Sequence, residues 1–295
     1  MNLDYVQTFL AVVRTGSFRE AAKQLGISQP AVSQHIKKLE EILKSQLIVR
    51  DRKGNQLTSA AQIFLPYAES LVLTTERAVS ALKLSKLTIG ASSNIGIYLL
   101  PSYVKHYLEQ YGNSCHVDLA IEPNPAIAQK LETGVVDLAL MEWWDHRPGF
   151  TVQLWQSEEL VLIVPPHHPW CNLPSLPKAY LETIEMLGGE RGTGTGRLLQ
   201  QYFGEQFAKK MRISMQLGST EAVKRAVQAG LGVSIVLSKS ITQEVQAGIL
   251  QAIPIHVDGK PLRKELFVIW RSGLSANHPS HRFAQMLLHE AKNSS

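Results

Sequence analysis

One stretch of the chain carries polar side chains whose types and spacing suit hydrogen bonding to a nucleic acid. These side chains are Gln29, Ser33, Gln34, Lys37 and Lys38. A glutamine amide can pair with adenine through two hydrogen bonds, a serine hydroxyl can bond to a base edge or to phosphate, and a lysine suits phosphate. The apolar residues between them, at steps of 4, 3 and 4, are Val32, Ile36, Leu39 and Leu43. This spacing predicts a helix with an apolar inner face and a polar outer face that reads DNA.

The residues that would position this helix extend back to Ser17. Ser17 and Glu20 have the spacing of a capping box, in which the serine oxygen accepts from an amide of the first turn and the glutamate reaches back. Gly26 suits the left-handed conformation that closes a helix, and Ser28 can cap the next one. A row of Gln and Lys alone would indicate an ordinary solvated face. Caps, turn and polar row together favour a helix-turn-helix whose second helix enters the major groove.

A short hairpin is predicted after the two helices. Strand-like runs at Leu47–Arg50 and Gln56–Thr58 flank Gly54-Asn55, which is a plausible turn. Basic residues at the tip would contact the DNA backbone or the minor groove like a wing, and the alternative is a merely solvated hairpin. The predicted DNA-contacting residues are Ser28, Gln29, Pro30, Ser33, Gln34, Lys37, Lys38, Arg50, Arg52 and Lys53.

The excess positive charge lies in the same part of the chain. Residues 1–86 hold 12 Lys and Arg against 7 Asp and Glu, whereas residues 87–295 hold 18 of each. The whole net charge of +5 therefore accompanies the predicted DNA-binding unit, where phosphate neutralisation would use it. No apolar run approaches the roughly 18 residues of a membrane span, and the N-terminus lacks the features of a signal peptide. These features predict a cytoplasmic, nucleoid-associated protein without a membrane partner.

The first 58 residues resemble the LysR-type transcriptional regulators, a large bacterial family. The matching residues are Phe9, Gly16-Ser17-Phe18, Ala21-Ala22, Leu25, Ser28-Gln29-Pro30-Ala31-Val32-Ser33, Ile36, Leu39-Glu40, Arg50 and Leu57-Thr58. The chain departs from the family at Lys44 and Ala61, where Gly is common, at Ile48, where Phe is usual, and at His35, where Gln is common. The resemblance implies a winged helix-turn-helix that binds double-stranded promoter DNA.

Residues 60–84 contain no glycine and many good helix formers, which predicts one long helix. Its apolar stripe at steps of three and four residues consists of Ile63, Tyr67, Leu71, Thr74, Ala78 and Leu82. Such a stripe outside a compact domain needs a partner. It could pack against the C-terminal half of the same chain. In similar regulators this segment is the linker helix that pairs two subunits, which implies a homodimer that assembles further into a tetramer.

From Leu87 onward, short apolar runs alternate with helical patterns, which predicts α/β organisation. The predicted strands are Leu87–Gly90, Val117–Ile121, Val136–Leu140, Glu159–Val164, Ile213–Leu217, Val233–Leu237 and Glu265–Trp270. The predicted helices are Tyr98–Gln110, Ile127–Thr133, Arg197–Lys210, Glu221–Ala229 and Ser280–Lys292.

Four segments of this half are similar to the effector domain of the same family: GASSNIGIYLLP, LETGVVDLALME, EELVLIVPPHHPW and LGSTEAVKRAVQAGLGVSIV. The resemblance implies two α/β lobes of the type 2 periplasmic-binding-protein kind, crossed twice by the chain. The expected fold is thus an α+β multidomain protein. Its expected parts are the winged helix-turn-helix at 1–58, the linker helix at 59–86 and the effector domain at 87–295. Lobe one would comprise 87–162 and 267–295, and lobe two 163–266.

An effector is expected in the cleft between the lobes, at strand ends and helix N-termini, where free amides favour anions. Ser92-Ser93-Asn94 could contact such an anion or simply cap a helix, and Pro123-Asn124-Pro125 replaces a hydroxyl-containing segment of relatives. The segment 191–197 offers amides, threonines and an arginine, or is a flexible loop. The predicted effector contacts are Ser92, Ser93, Asn94, Asn124, Thr193, Thr195 and Arg197.

Other chemistry finds little support in the sequence. The segment 191–197 lacks the spacing of a dinucleotide or P-loop motif, and no nucleophile–base pair or H-E-x-x-H motif occurs. His167-His168 has no neighbouring ligand to complete a metal site, so turn residues are the better interpretation. Cys115 and Cys171 are reduced thiols or, less simply, a redox pair. Trp143-Trp144 lines either the cleft or a lobe core.

The combined features predict no catalytic residue, metal or cofactor. They predict a DNA-binding transcription regulator, an activator or repressor, whose action a small anionic metabolite modulates. The alternatives are an enzyme built on the α/β half and a cytoplasmic small-molecule-binding protein.

Overall fold

The computed structural model of the chain describes residues 1–51, 54–81, 85–112, 115–177, 180, 184–189, 194–205 and 212–293. These residues form two compact units. Unit 1 comprises Met1–Ser85 with Glu132–Val135, and unit 2 comprises Lys86–Leu131 with Val136–Ser295. In the part of the chain described, no helix is both long and apolar enough to cross a membrane.

Unit 1 begins with three helices, α1 (Leu3–Thr15), α2 (Phe18–Leu25) and α3 (Gln29–Leu43). Gly16 and Gly26 end α1 and α2 at φ values of 66° and 67°, a left-handed conformation that glycine adopts without strain. The shared core of the three helices includes Phe9, Phe18, Ala21, Ala22, Val32, Ile36 and Leu39. The helix-turn-helix predicted from Ser17–Leu43 is confirmed.

The cap of α2 differs from the predicted capping box. The Glu20 amide donates to Ser17 Oγ at 3.4 Å, as predicted. The Glu20 carboxylate does not reach back, because it accepts from Lys23 Nζ at 3.0 Å. The Ser17 amide instead donates to Thr15 Oγ1 at 3.3 Å. Half of the capping box was therefore wrong, since two nearer side chains satisfy the same groups.

The end of α3 carries a left-handed residue that is not glycine. Lys44 has φ 51° and ψ 36°, and its amide donates to Glu40 O. This is the position at which the sequence departs from the glycine of similar regulators. A Cβ disfavours this conformation by roughly 1–2 kcal/mol. The departure therefore introduces local strain without moving the helix end.

A two-stranded hairpin follows, formed by β1 (Ile48–Asp51) and β2 (Gly54–Leu57). The antiparallel register pairs Asp51 with Gly54 and Arg50 with Asn55. The predicted turn at Gly54-Asn55 is wrong, because both residues lie within β2. The Glu40 carboxylate accepts from the Leu47 amide at 2.7 Å, which ties the hairpin to α3.

The long helix α4 spans Ser59–Ala81, close to the predicted limits. Its inner face joins the core of α1 to α3 through Ala61, Phe64, Leu65, Ala68 and Val72. Ile63 and Tyr67, on the predicted stripe, are 69% and 66% exposed, and Leu71 is 39% exposed. Leu82 lies outside the described residues. The helix therefore has one face packed within unit 1 and an apolar face that is open.

Unit 2 alternates strands and helices, as predicted. Its strands are β3 (Ser85–Ser92), β4 (Cys115–Glu122), β5 (Leu138–Met141), β6 (Phe150–Val164), β7 (Glu185–Gly188), β8 (Arg212–Gln216), β9 (Ser234–Leu237), β10 (Gln251–Pro254), β11 (His256–Val257), β12 (Lys260–Pro261) and β13 (Arg263–Arg271). Its helices are α5 (Ser93–Tyr98), α6 (Leu100–Tyr111), α7 (Asn124–Glu132), α8 (Thr195–Phe203), α9 (Thr220–Gln228), α10 (Thr242–Gln246) and α11 (Pro279–Asn293).

The long strand β6 belongs to a seven-stranded sheet and pairs with strands of both lobes. Its first part pairs with β13, from Phe150 opposite Arg271 to Glu159 opposite Arg263. Its last part, from Leu160 onward, pairs with β9 and β10. One lobe contains β3, β4, β5 and most of β13, and the other contains β7 to β10. The pairing changes at Glu159–Leu160, so the expected lobe limit at 162 falls inside the run that pairs with the second lobe.

Several elements differ from the sequence-based expectation. The helix predicted at Tyr98–Gln110 is divided at Leu99 into α5 and α6, because Pro101 lacks the amide that a continuous helix needs. The helix predicted at Arg197–Lys210 ends at Phe203, before Gly204 with φ 88°. The polar first half of β6 and the short strands β7 and β10 were missed, because four-residue or polar runs give a weak periodic signal.

Candidate DNA-reading surface and effector cleft

The outer face of α3 presents the predicted DNA-reading side chains to solvent. Gln29, Gln34, Lys37 and Lys38 are exposed, as are Ser28 and Pro30, and Ser33 is half-buried. Ser28 Oγ accepts from the Ala31 amide at 3.3 Å, so Ser28 caps α3. The face is anchored by the buried side chains on the opposite side of the helix. It therefore offers amide, hydroxyl and ammonium groups from one rigid element.

A polar clamp between α1 and α3 fixes the rotation of this face. Thr8 Oγ1 donates to Asp4 O at 2.7 Å, which leaves its lone pairs to accept from His35 Nδ1 at 2.9 Å. The His35 ring packs against the Tyr5 ring with centroids 4.9 Å apart. His35 is a departure from the family pattern, and it holds α3 against α1 directly beside Gln34.

The predicted wing contacts are only partly described. Arg50 lies in β1 opposite Asn55. The Asn55 side chain donates to Gly16 O at 3.0 Å, which ties β2 to the turn between α1 and α2. Arg52 and Lys53 lie outside the described residues.

Unit 2 contains a cavity of about 490 Å³ between its two lobes. Its described polar lining residues are Asn94, Thr195, Arg197, Gln216, Thr220, Ser234 and Lys264. The apolar lining includes Trp143, Met186, Leu187 and Ile213. Two of the described lining residues are cations and none is an acid. The cavity has the size of a site for a small metabolite.

Lys264, one half of a buried ion pair, forms part of the floor of this cavity. Lys264 Nζ lies 2.6 Å from Glu142 Oε2, and the two side chains are 3% and 0% exposed. Lys264 Nζ also donates to Thr195 Oγ1 at 2.9 Å. The Glu142 carboxylate offsets the charge of Lys264 from behind, since it does not line the cavity. The pair positions an ammonium group beside the first residue of α8.

The start of α8 is shaped by Trp143. Gly194 precedes the helix with φ 75°, and a Cβ there would lie 2.7 Å from Trp143 Cδ1. Only glycine fits this approach. The guanidinium of Arg197 stacks over the Trp143 ring, 4.5 Å from its centroid. The ring thus holds an exposed arginine at the cavity edge.

Direct hydrogen bonds join the two lobes at the other side of the cavity. Across the lobes, Thr220 Oγ1 donates to Asn94 Oδ1 at 2.7 Å. Within the first lobe, Asn94 Nδ2 donates to Glu142 Oε1 at 3.0 Å. Nearby, Tyr98 donates its hydroxyl to Glu221 Oε1 at 2.5 Å. Burial, followed by this bond to a carboxylate, raises the pKa of Tyr98. The lobes therefore meet at this side through polar contacts between side chains.

The structure brings together three of the predicted effector contacts, Asn94, Thr195 and Arg197. Ser92 is buried, and its hydroxyl has no hydrogen-bond partner within the described residues; Ser93 is half-buried at the start of α5. Neither lines the cavity. Asn124 is buried, and its side chain accepts from the Glu142 amide at 2.9 Å and donates to Trp143 O at 3.0 Å. Asn124 thus supports the floor, and Thr193 lies outside the described residues.

Sequence reasoning missed Glu142, Gln216, Thr220 and Lys264. They come from three distant parts of the chain, with Glu142 after β5, Gln216 and Thr220 at the end of β8 and the start of α9, and Lys264 in β13, so no single local motif marks them. The two tryptophans differ in place, since Trp143 lines the cavity and Trp144 is buried against Phe150. Both cysteines are free thiols. Across the described residues, no three His, Cys, Asp or Glu side chains form a metal-binding group.

Family models match both halves of the chain. The model described as "LysR substrate binding domain" matches residues 81–292, and the model described as "Bacterial regulatory helix-turn-helix protein, lysR family" matches residues 3–62. A protein named as the HTH-type transcriptional regulator PtxE of Stutzerimonas stutzeri is 44% identical over 195 residues, which are 66% of this chain and all of that protein. A protein named as a RuBisCO transcriptional regulator of Cyanidioschyzon merolae is 30% identical over 97% of each chain.

Solved structures show the same fold. Full-length CbnR complexed with its target DNA aligns with a TM-score of 0.66 at 19% identity, over 99% of this chain and all of that one. The regulatory domain of Synechocystis CcmR in complex with 2-PG aligns with a TM-score of 0.62 at 21% identity, over 70% of this chain and 98% of that one. The resemblance inferred from the sequence is confirmed: the chain belongs to the LysR family of DNA-binding transcriptional regulators with an effector-binding domain.

Proposed function

We propose that the regulator is controlled by a small anionic metabolite that binds in the cavity between the lobes of unit 2. The observation that carries this proposal is the convergence of Lys264, Thr195 and Arg197 at the first turn of α8. Helix amides, an ammonium group and a guanidinium together favour a phosphate or carboxylate group.

Because Lys264 is already paired with Glu142, other groups would supply most of the attraction for an anionic ligand. An anion would gain most from Arg197, from the hydroxyls of Thr195 and Thr220, and from the α8 amides. Arg197 is exposed and stacked, so its outer nitrogens remain available for a bidentate contact. The 2-PG bound by the related CcmR domain is itself an organic phosphate, which supports this class of ligand.

Ligand binding would act through the contacts that join the lobes. An anion near Thr220 competes for the hydroxyl proton that Thr220 now donates to Asn94. The Thr195 hydroxyl accepts from Lys264, so its own proton can be donated to the anion. The resulting change in lobe arrangement would alter how paired DNA-binding units meet the operator. A ligand can do this only through unequal affinity for the two arrangements.

On the DNA side, Gln29, Ser33 and Gln34 are the proposed base readers. Lys37, Lys38 and the wing arginines are the proposed phosphate contacts. Two such helices in a dimer would read an operator with approximate two-fold symmetry. The open face of α4, with Ile63, Tyr67 and Leu71, is the proposed subunit contact of the homodimer, and two dimers would form a tetramer.

The proposal places the protein in the cytoplasm at the nucleoid, because it acts on DNA. It assigns unit 2 a binding role rather than catalysis, which fits a family of transcriptional regulators. The proposed domain limits remain 1–58, 59–86 and 87–295. A family model for the C-terminal part begins at 81.

The effector site is tested by thermal unfolding of the full chain in a panel of small phosphates and carboxylates, beginning with 2-phosphoglycolate. At least one compound should raise the unfolding midpoint of the wild type, because ligands that bind only the folded state stabilise it. Arg197→Gln should abolish most of that rise. Arg225→Gln is the matched control, since Arg225 is an exposed arginine of the same lobe that bonds to Gln228.

Two results would contradict the proposal. One is a panel of anions without effect on the wild type, when uncharged analogues do stabilise it. The other is an equal loss of the response in Arg197→Gln and Arg225→Gln.

A further inference from the structure

The guanidinium of Arg282 on α11 lacks the partners that a buried charge normally has. Arg282 is half-buried, and its Nε atom is closed to solvent without a hydrogen-bond partner among the described residues. No described carboxylate lies within ion-pair distance of it. Buried polar groups are almost always hydrogen-bonded, and arginine is rarely buried without a counter-charge. A half-buried arginine with one closed, unbonded nitrogen and no described carboxylate at ion-pair distance is therefore a candidate for an external anion.

The neighbours of Arg282 position it without neutralising it. The guanidinium lies over the Tyr111 ring, 4.9 Å from the centroid. The pKa of His278 is lowered chiefly by burial and also by the positive charges of Arg282 and His281, against the opposing effect of Asp137. Arginine, stacked on an aromatic ring, presents a rigid fork of donors. The surroundings thus fix the orientation of the fork and leave its charge uncompensated.

A surface cavity of about 480 Å³ opens beside this side chain, between the end of α6 and α11. Arg282, Gln285 and His289 border it, at helical spacings of three and four residues that place them on one face. Gln110 and Tyr111 border it from α6. The volume is that of a small-molecule site. It offers one guanidinium, the amides of two glutamines and the imidazoles of His281 and His289 to a single ligand.

One carboxylate, that of Glu290, also borders the cavity, and its negative charge would oppose the binding of an anion nearby. Glu290 lies 3.4 Å from His106 Nδ1, so it is engaged on the α6 side. It follows Arg282 by eight residues, which is about 12 Å along a helix. Glu290 therefore borders the far end of the cavity and leaves the Arg282 end positive.

We propose that this cavity is a second ligand site, in which the oxyanion group of a small metabolite binds Arg282. A phosphate or a carboxylate would receive the parallel N–H groups of the guanidinium. The remainder of the molecule would lie along α11 towards Gln285 and His289. The site shares no residue with the cavity between the lobes, so the two can be occupied independently.

The test uses the full chain carrying Arg197→Gln, so that the inter-lobe cavity contributes little to anion binding. Inorganic phosphate and acetate are titrated separately by calorimetry, at an ionic strength held constant with chloride. One of the two should bind, and which one identifies the oxyanion. Adding Arg282→Gln should weaken that binding about 10- to 100-fold, as expected for loss of a charge-assisted bidentate contact.

Two further variants separate the role of the Arg282 fork from that of its charge and from that of the rest of the cavity. Arg282→Lys retains the charge without the fork and should give an intermediate loss. His289→Gln changes an exposed side chain at the other end of the cavity and should alter inorganic-ion binding little. If the Arg282→Gln protein does not fold, the anion affinity of Arg282→Lys is compared with that of the Arg197→Gln chain instead.

The proposal is overturned if neither anion binds the Arg197→Gln chain, or if binding is unchanged when Arg282 is replaced by Gln or Lys. It is also overturned if replacement of Arg282 changes only the oligomeric mass in light scattering. In that case the guanidinium serves a contact between subunits. A failure of the proposed effector site would instead appear in the Arg197 comparison of the earlier experiment, with the Arg282 result unaffected.

Discussion

The DNA-reading face of α3 and the effector cavity of unit 2 differ in how the chain assembles them. The reading face takes Gln29, Ser33 and Gln34 from one helix, where spacing alone brings them together. The cavity takes Asn94, Thr195 and Lys264 from separate elements that meet only in the folded lobes. The first surface therefore depends on local periodicity and caps, and the second on tertiary structure. We therefore expect substitutions on α3 to affect DNA reading alone, and substitutions at the cavity to affect the stability or ligand response of unit 2.

The largest expected effect comes from breaking the buried pair under the cavity. Lys264→Met leaves the Glu142 carboxylate buried without its counter-charge, which should lower the free energy of unfolding by about 3–5 kcal/mol. Denaturant unfolding of the full chain, followed by tryptophan fluorescence, measures this loss. The double variant Glu142→Gln/Lys264→Met should recover most of it. Equal destabilisation by the single and double variants would mean that packing, not charge, explains the effect.

A smaller effect is expected at the reading face. Gln34→Ala should weaken binding to a selected operator by about 1–3 kcal/mol and leave binding to random DNA almost unchanged. Gln62→Ala is the matched control, because Gln62 is an exposed glutamine on α4, away from the reading face. Fluorescence anisotropy at fixed salt measures both affinities. Equal losses on operator and random DNA would remove Gln34 from base reading.

The smallest effect concerns the left-handed end of α3. Lys44→Gly should raise the free energy of unfolding of unit 1 by about 0.5–1 kcal/mol, because glycine relieves the strain at φ 51°. Lys44→Ala keeps a Cβ and should give no such gain. If alanine stabilises as much as glycine, the lysine side chain, not the backbone conformation, is responsible.

The difference between local and long-range assembly also decided which features the sequence could predict. Helix caps at Ser28, Gly16 and Gly26 are local, so the helix-turn-helix was placed almost to the residue. The α/β alternation of unit 2 was also evident. The turn of the hairpin was misplaced because Gly54-Asn55 looks like a turn by composition, while the register is set by pairing across the hairpin.

Only the residues of the unit 2 cavity that lie next to a local sequence pattern were predicted, because the others are brought there by long-range strand pairing. Asn94 lies after a predicted strand, and Thr195 and Arg197 lie in a glycine-rich segment before a predicted helix. The structure places all three at the cavity. Glu142 directly follows β5 and Lys264 lies in β13, 122 positions later, and the antiparallel pairing of β13 with β5 brings them together. Ser92 and Asn124 looked like ligand contacts, yet burial directs them into the lobe. Long-range pairing carries no signal in one sequence.

The central claim is that one chain joins an independent reading face to an independent effector cavity. It is tested most directly by measuring operator affinity and the ligand-induced rise in unfolding midpoint for the wild type, Gln34→Ala and Arg197→Gln. The ligand is whichever small anion stabilises the wild type most. Gln34→Ala should lose operator affinity and keep the thermal response, whereas Arg197→Gln should keep operator affinity without ligand and lose the response. Loss of both properties in either variant would contradict the account.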